Sequence, residues 1–96
     1  MRCYPSIRAL HAFRRVVELK SFTDAARDLD MTGGAVSKLI AGLEEELGAR
    51  LLTRTTRRVS ATESGLAYYK VAAAVLDELG AASELVRSQT LRPRVD

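Results

Sequence analysis

Apolar positions along this chain recur every three or four residues over most of its length and lose that spacing in one place, dividing it into helical stretches and one extended piece. Ile7, Leu10, Phe13 and Val17 share one face of a first helix, which Ser6 is placed to cap and which runs to about Leu19. In "SFTDAARDLD" (21–30), Ser21 followed three positions later by Asp24 is a capping signal. Phe22, Ala25, Ala26 and Leu29 there fall at i, i+3, i+4 and i+7, predicting a short second helix whose alanines admit a close neighbour. Asp30 and Met31 leave room only for a tight connection. Thr32 then caps a third helix with a stripe of Val36, Ile40, Leu43 and Leu47, ended by Gly48.

Beyond Gly48, "RLLTRTTRRVSAT" is rich in Thr, Arg and β-branched residues and has no helical stripe, so it predicts two short strands around a turn near Thr55 to Arg58. Two helices joined by a tight turn, the second followed by such a piece, have the layout of a helix-turn-helix with a wing. Thr62 is placed to cap a long fourth helix, with Gly65 in its first turn. Tyr68, Ala72, Val75, Leu79, Ala82 and Val86 recur along it at alternating spacings of four and three, the heptad seam of a coiled coil. A helix of about 26 residues is roughly 39 Å long, more than so small a core can cover. The seam is therefore expected to pair with a second copy in a homodimer; the alternative is a helix folded back on its own domain. Gly80 and the many alanines weaken the seam but permit close approach, so composition leaves both open.

The expected fold is mainly α: a three-helix winged helix-turn-helix core with a short β wing, then a long linker helix. Its 96 residues suit one modest core, and with 47% hydrophobic and 28% charged residues no apolar run approaches the roughly 20 needed to span a bilayer. The opening "MRCYPSIRAL" lacks the apolar core and cleavage site of a secretory signal, so a cytoplasmic location is expected. Cys3 and His11 are each the only one of their type, which excludes an intrachain disulfide and a zinc site of several Cys and His ligands. Cys3 reads as an inert thiol, and no cofactor or metal is expected.

Net charge is only +3, but it is unevenly placed. Gly48 to Thr62 carries Arg50, Arg54, Arg57 and Arg58 with no acid, and Met31 to Leu43 carries Lys38 with none. From Glu63 to Val86 the balance reverses: Lys70 stands alone against Glu63, Asp77, Glu78 and Glu84. The third helix and the wing are composed to meet a polyanion, and the fourth helix is not.

The stretch "SFTDAARDLDMTGGAVSKLIAGLEEELGARLLTRTTRRVSATESG" resembles the DNA-binding domain of LysR-type transcriptional regulators. "SFTDAA", "AVSKLI", "LEEELGARLL" and "TESG" stand in that family's order and spacing, and the likeness extends over roughly residues 7–90. It implies a winged helix-turn-helix whose third helix enters the major groove of double-stranded DNA, with the wing at the backbone or adjacent minor groove. It further implies a dimer, or a tetramer in a full-length parent, on a partly palindromic promoter site. The expected division is residues 1–61 for the DNA-binding domain, 62–88 for the linker and dimerisation helix, and 89–96 for a tail leading to an absent effector-binding domain. A small-molecule inducer would act only through that domain.

By this resemblance Thr32 and Ser37 match phosphate-contacting hydroxyls, Lys38 matches a basic position facing the groove, and Arg54 and Arg57 match wing positions near DNA; Thr55 and Arg58 complete the expected wing surface. Elementary chemistry agrees, since hydroxyls and a helix N-terminus suit phosphate oxygens and Lys or Arg suits phosphates or guanine edges. Leu39 departs from the family's usual polar residue, and would either touch a thymine methyl or broaden the apolar stripe. Gly33 and Gly34 fall where the family more often has Gln or Ser, then Pro or Ser. Glycine is costly to order in a helix, but these are first-turn positions, and their bareness lets the backbone approach DNA closely. Base preference there is expected to be relaxed, with Lys38, the wing and DNA shape carrying more; glycines tolerated without such a role are the alternative.

Catalysis is not expected. Ser21, Ser37, Ser60 and Ser64 have only His11 as an imidazole base, "TGGA" lacks the Gly-Lys-Ser/Thr of a phosphate-binding loop, and Glu44, Glu45 and Glu46 read as a solvated helix end. The competing function is a winged helix serving as a protein-assembly module through its long helix. Salt dependence separates the two.

Overall fold

The computed structural model describes residues 6–55 and 58–91. Among them are helices α1 (Ile7–Leu19), α2 (Phe22–Asp28), α3 (Gly33–Leu47) and α4 (Glu63–Leu91), and strands β1 (Leu52–Arg54) and β2 (Val59–Ala61). Each start has a local chemical cause. Ser6, Ser21 and Thr32 take extended backbone, and their hydroxyls accept from the N–H groups of Ala9, Asp24 and Ala35 at 3.0 Å, satisfying donors that the first turn leaves open. Helix α3 ends at Gly48, which takes φ +67° and donates to Glu44 O at 2.8 Å. Lys20 and Asp30 bear the same left-handed geometry without being glycine.

The core lies where α1, α2, α3 and the base of the wing meet. Phe13, Val16, Val36, Ile40, Leu43 and Leu51 are its largest fully buried side chains, with Ala12, Ala25 and Ala26 between the helices. Ile7 and Leu47, both expected on buried stripes, are instead largely exposed, because they stand at helix ends beyond the reach of the facing element. Leu39 is half-buried against this core, so it broadens the apolar stripe.

Strands β1 and β2 pair antiparallel with Thr53 opposite Ser60, around a turn in which Thr55 N–H donates to Arg58 O at 2.9 Å. The corner before the wing is tightly bonded. Glu44 Oε2 accepts from the N–H groups of Leu51 (2.8 Å) and Leu52 (3.2 Å), so this glutamate tethers β1 to α3 and is not part of a solvated end. Thr62 Oγ1 donates to Arg50 O at 2.6 Å and accepts from Gly65 N–H at 2.9 Å, capping α4 on the same corner. A Cβ on Gly65 would stand 2.0 Å from Leu51 O, so α4 can lie this close only with glycine there.

Helix α4 runs to Leu91, past the expected end at 88. Its first turns return to the core: Tyr68 meets Phe13 edge-on at 5.9 Å, and Ala72 and Leu76 are buried against Leu10 of α1. The expected seam is thereby divided. Tyr68 and Ala72 pack within their own chain, against Phe13 and Leu10 of α1. Val75, Leu79, Ala82 and Val86 remain exposed, and from Asp77 to Gln89 every side chain is exposed.

Candidate nucleic-acid interface

Thr32, Gly33, Gly34 and Lys38 are all exposed at the N-terminal end of α3, with Ser37 half-buried beside them. The Thr32 oxygen is engaged as a cap for Ala35 N–H, which leaves its O–H and the N–H groups of Gly33 and Gly34 to face an anion. A Cβ on Gly33 or Gly34 would meet nothing within 4 Å, so the chain's own packing does not require glycine at either position. Their bareness therefore matters outward or not at all.

The wing brings Arg54, Thr55 and Arg58 to the surface. Thr55 Oγ1 accepts from Arg58 N–H at 3.0 Å, closing the turn and fixing the backbone that carries both residues. Arg57 lies outside the described residues, as does Cys3. Arg54 is brought to α3: its Nη2 donates to Ser37 Oγ at 3.2 Å, and its guanidinium carbon sits 4.1 Å from the centre of the Phe22 ring. Ser37, expected as a phosphate-contacting hydroxyl, and Arg54, expected as a wing position near DNA, thus touch one another. The sequence pattern marks Phe22 as a helix-stripe residue, and no local signal ties a position on α2 to one on β1.

A second polar cluster joins α1 to α2 and to α4. Arg14 Nη1 donates to Asp77 Oδ1 at 2.8 Å, while Tyr69 Oη and Arg14 Nε both donate to Glu18 Oε2, at 2.6 and 3.1 Å. Arg15 joins Glu18 to Asp28 of α2. Burial pushes the Glu18 carboxyl up, but the donors Tyr69, Arg14 and Arg15 together outweigh it and hold it below the ordinary carboxylate range. The hydrogen bond to Glu18 in turn pushes the Tyr69 phenol up. Among the described residues no three His, Cys, Asp or Glu gather as a metal site, and no helix is long and apolar enough to cross a membrane.

The surface that results is an exposed helix start and an arginine-bearing wing tied side by side. Residues 7–66 match the family model described as bacterial regulatory helix-turn-helix protein, lysR family. The HTH-type transcriptional regulator CrgA of Neisseria meningitidis serogroup B is 48% identical over 73 residues, covering 76% of this chain and 24% of CrgA. The chain thus spans about a quarter of that relative's length. Among solved structures, the BenM DNA-binding domain in complex with catB site 1 DNA superposes with a TM-score of 0.84 at 34% identity, covering 92% of this chain and 99% of that one. A Corynebacterium glutamicum OxyR C206 mutant matches with a TM-score of 0.82 at 29% identity, over 97% of this chain and 29% of OxyR. The chain belongs to the LysR family of bacterial regulatory helix-turn-helix proteins, and what it folds into is that family's winged helix DNA-binding domain.

Proposed function

We propose that this chain binds double-stranded DNA sequence-specifically, as a dimer on a partly palindromic promoter site, within a regulator of transcription. The start of α3 would lie in the major groove with Thr32, Gly33, Gly34, Ser37 and Lys38 toward the DNA. Arg54, Thr55, Arg57 and Arg58 of the wing would meet the backbone or the neighbouring minor groove. One observation carries the reading: the exposed N-terminal end of α3 and the acid-free wing are tied into a single surface by the Arg54–Ser37 hydrogen bond. The dimer would form through the exposed Val75, Leu79, Ala82 and Val86 of α4. An effector-binding domain in the parent protein would carry the response to a small molecule and any further assembly to a tetramer.

The test is selection from a randomised duplex library, followed by a salt titration on the enriched site, for the wild type and Gly33→Gln. The expected result is an inverted repeat, an affinity that falls steeply as salt rises, and a sharper base preference in the variant at the pairs facing residue 33. No enrichment together with weak, salt-insensitive binding would replace this function with that of an assembly module. An unchanged preference profile in Gly33→Gln would remove the glycines from the reading surface.

A further inference from the structure

A two-stranded hairpin of three-residue strands has little stability of its own, so something outside it must fix where it points. At its base this is the burial of Leu51 and Leu52 and the grip of Glu44. At the far end of β1, Arg54 is tied to two other elements, the first residue of α2 and the second turn of α3. The Phe22 ring is half-buried and packed on the core, so its position is set before the arginine arrives. The guanidinium carbon lies over its face, an arrangement stabilised by the ring's negative quadrupole.

We propose that Phe22 and Ser37 clamp Arg54 and so hold the wing at a fixed distance from α3, making Phe22 a positioning residue for DNA binding although it need not touch DNA. The clamp leaves the arginine's charge in place and engages one of its five N–H donors, so the remainder can take a phosphate. An arginine free to sample its rotamers would lose that freedom on binding; here most of it is already lost in the free protein. Ser37 accepts in this contact, so its own O–H stays available as a donor to the same phosphate. The inference rests on the DNA-binding reading for its consequence, but not for its geometry.

Two measurements keep the two apart. In the free protein, the Arg54 Hε resonance is expected upfield of ordinary arginine signals by the ring current, returning to the ordinary position in Phe22→Leu. Against a fluorescein-labelled duplex carrying the enriched site, Phe22→Leu is expected to bind roughly 2- to 5-fold more weakly, the range that losing an exposed cation–π contact predicts. Phe22→Tyr, which keeps the ring, restores most of that loss. Arg54→Gln costs little more in the Phe22→Leu background, and the thermal midpoint of the singly substituted proteins reports that the fold is kept. An ordinary Hε position in the wild type overturns the clamp whether or not DNA binds, and decides the matter alone if Phe22→Leu does not fold. Additive losses from Phe22→Leu and Arg54→Gln overturn the positioning role. Failure of the wild type to bind any duplex overturns the DNA-binding reading while the Hε shift still reports on the clamp.

Discussion

At Gly65 one absent methyl decides whether the fourth helix can close on the wing corner, since a Cβ there would overlap the Leu51 carbonyl at 2.0 Å. Gly65→Ala must therefore push α4 or the corner aside, and the obstacle is backbone that cannot rotate away. We expect a loss of about 2–4 kcal/mol in urea unfolding, against the small gain alanine normally brings to a helix. An unchanged midpoint would mean that α4 does not lie so close in solution. The contrast between Gly65 and Glu44 shows what a sequence discloses at this scale. Ser6, Ser21 and Thr32 were legible as caps because each bonds an N–H three residues on, within one turn. Glu44 bonds N–H groups seven and eight residues on, across a bend, and in a run of three glutamates nothing distinguishes it from its neighbours. Tyr69 and Glu18, 51 positions apart, were still less accessible.

Elements were easier to read than contacts, because apolar period, caps and glycine stops repeat the same information. Each helix and the wing stand within a few residues of where periodicity put them. What periodicity could not assign was the partner of the α4 stripe. Its first part is buried against α1 and its later part is exposed, and both halves have the same spacing. The cluster around Glu18 holds that first part in place, and its protonation has a definite consequence. The folded state keeps Glu18 below its ordinary pKa, so this contribution to stability is complete above the unfolded value and is lost as pH falls through the folded value. Wild type and Glu18→Gln should therefore differ in urea midpoint near neutrality and converge under acid; a gap that stayed constant down to the acid limit would show that the carboxylate charge is not what matters.

The molecule as a whole extends 60 Å in its longest direction, against 33 and 19 Å in the others, with the later half of α4 standing clear of the core. Val75 and Leu79 are each 46% exposed and Val86 62%, while the acids Asp77, Glu78 and Glu84 lie on the same helix. Sedimentation velocity of Val75→Glu/Leu79→Glu should show a shift from dimer to monomer with the melting temperature of the core little changed. A wild type that already sediments as a monomer at high concentration would leave α4 to another partner.

The anchoring of α4 through Leu10, Phe13, Arg14 and Glu18 also turns the helix into a ruler. In a pair of such chains joined along α4, the two reading surfaces cannot swing independently, so the register of the helix pair fixes the gap between half-sites on DNA. A slip of one heptad shifts one helix by roughly 10 Å along the other. Operator spacing would thus be written in the side chains farthest from the DNA.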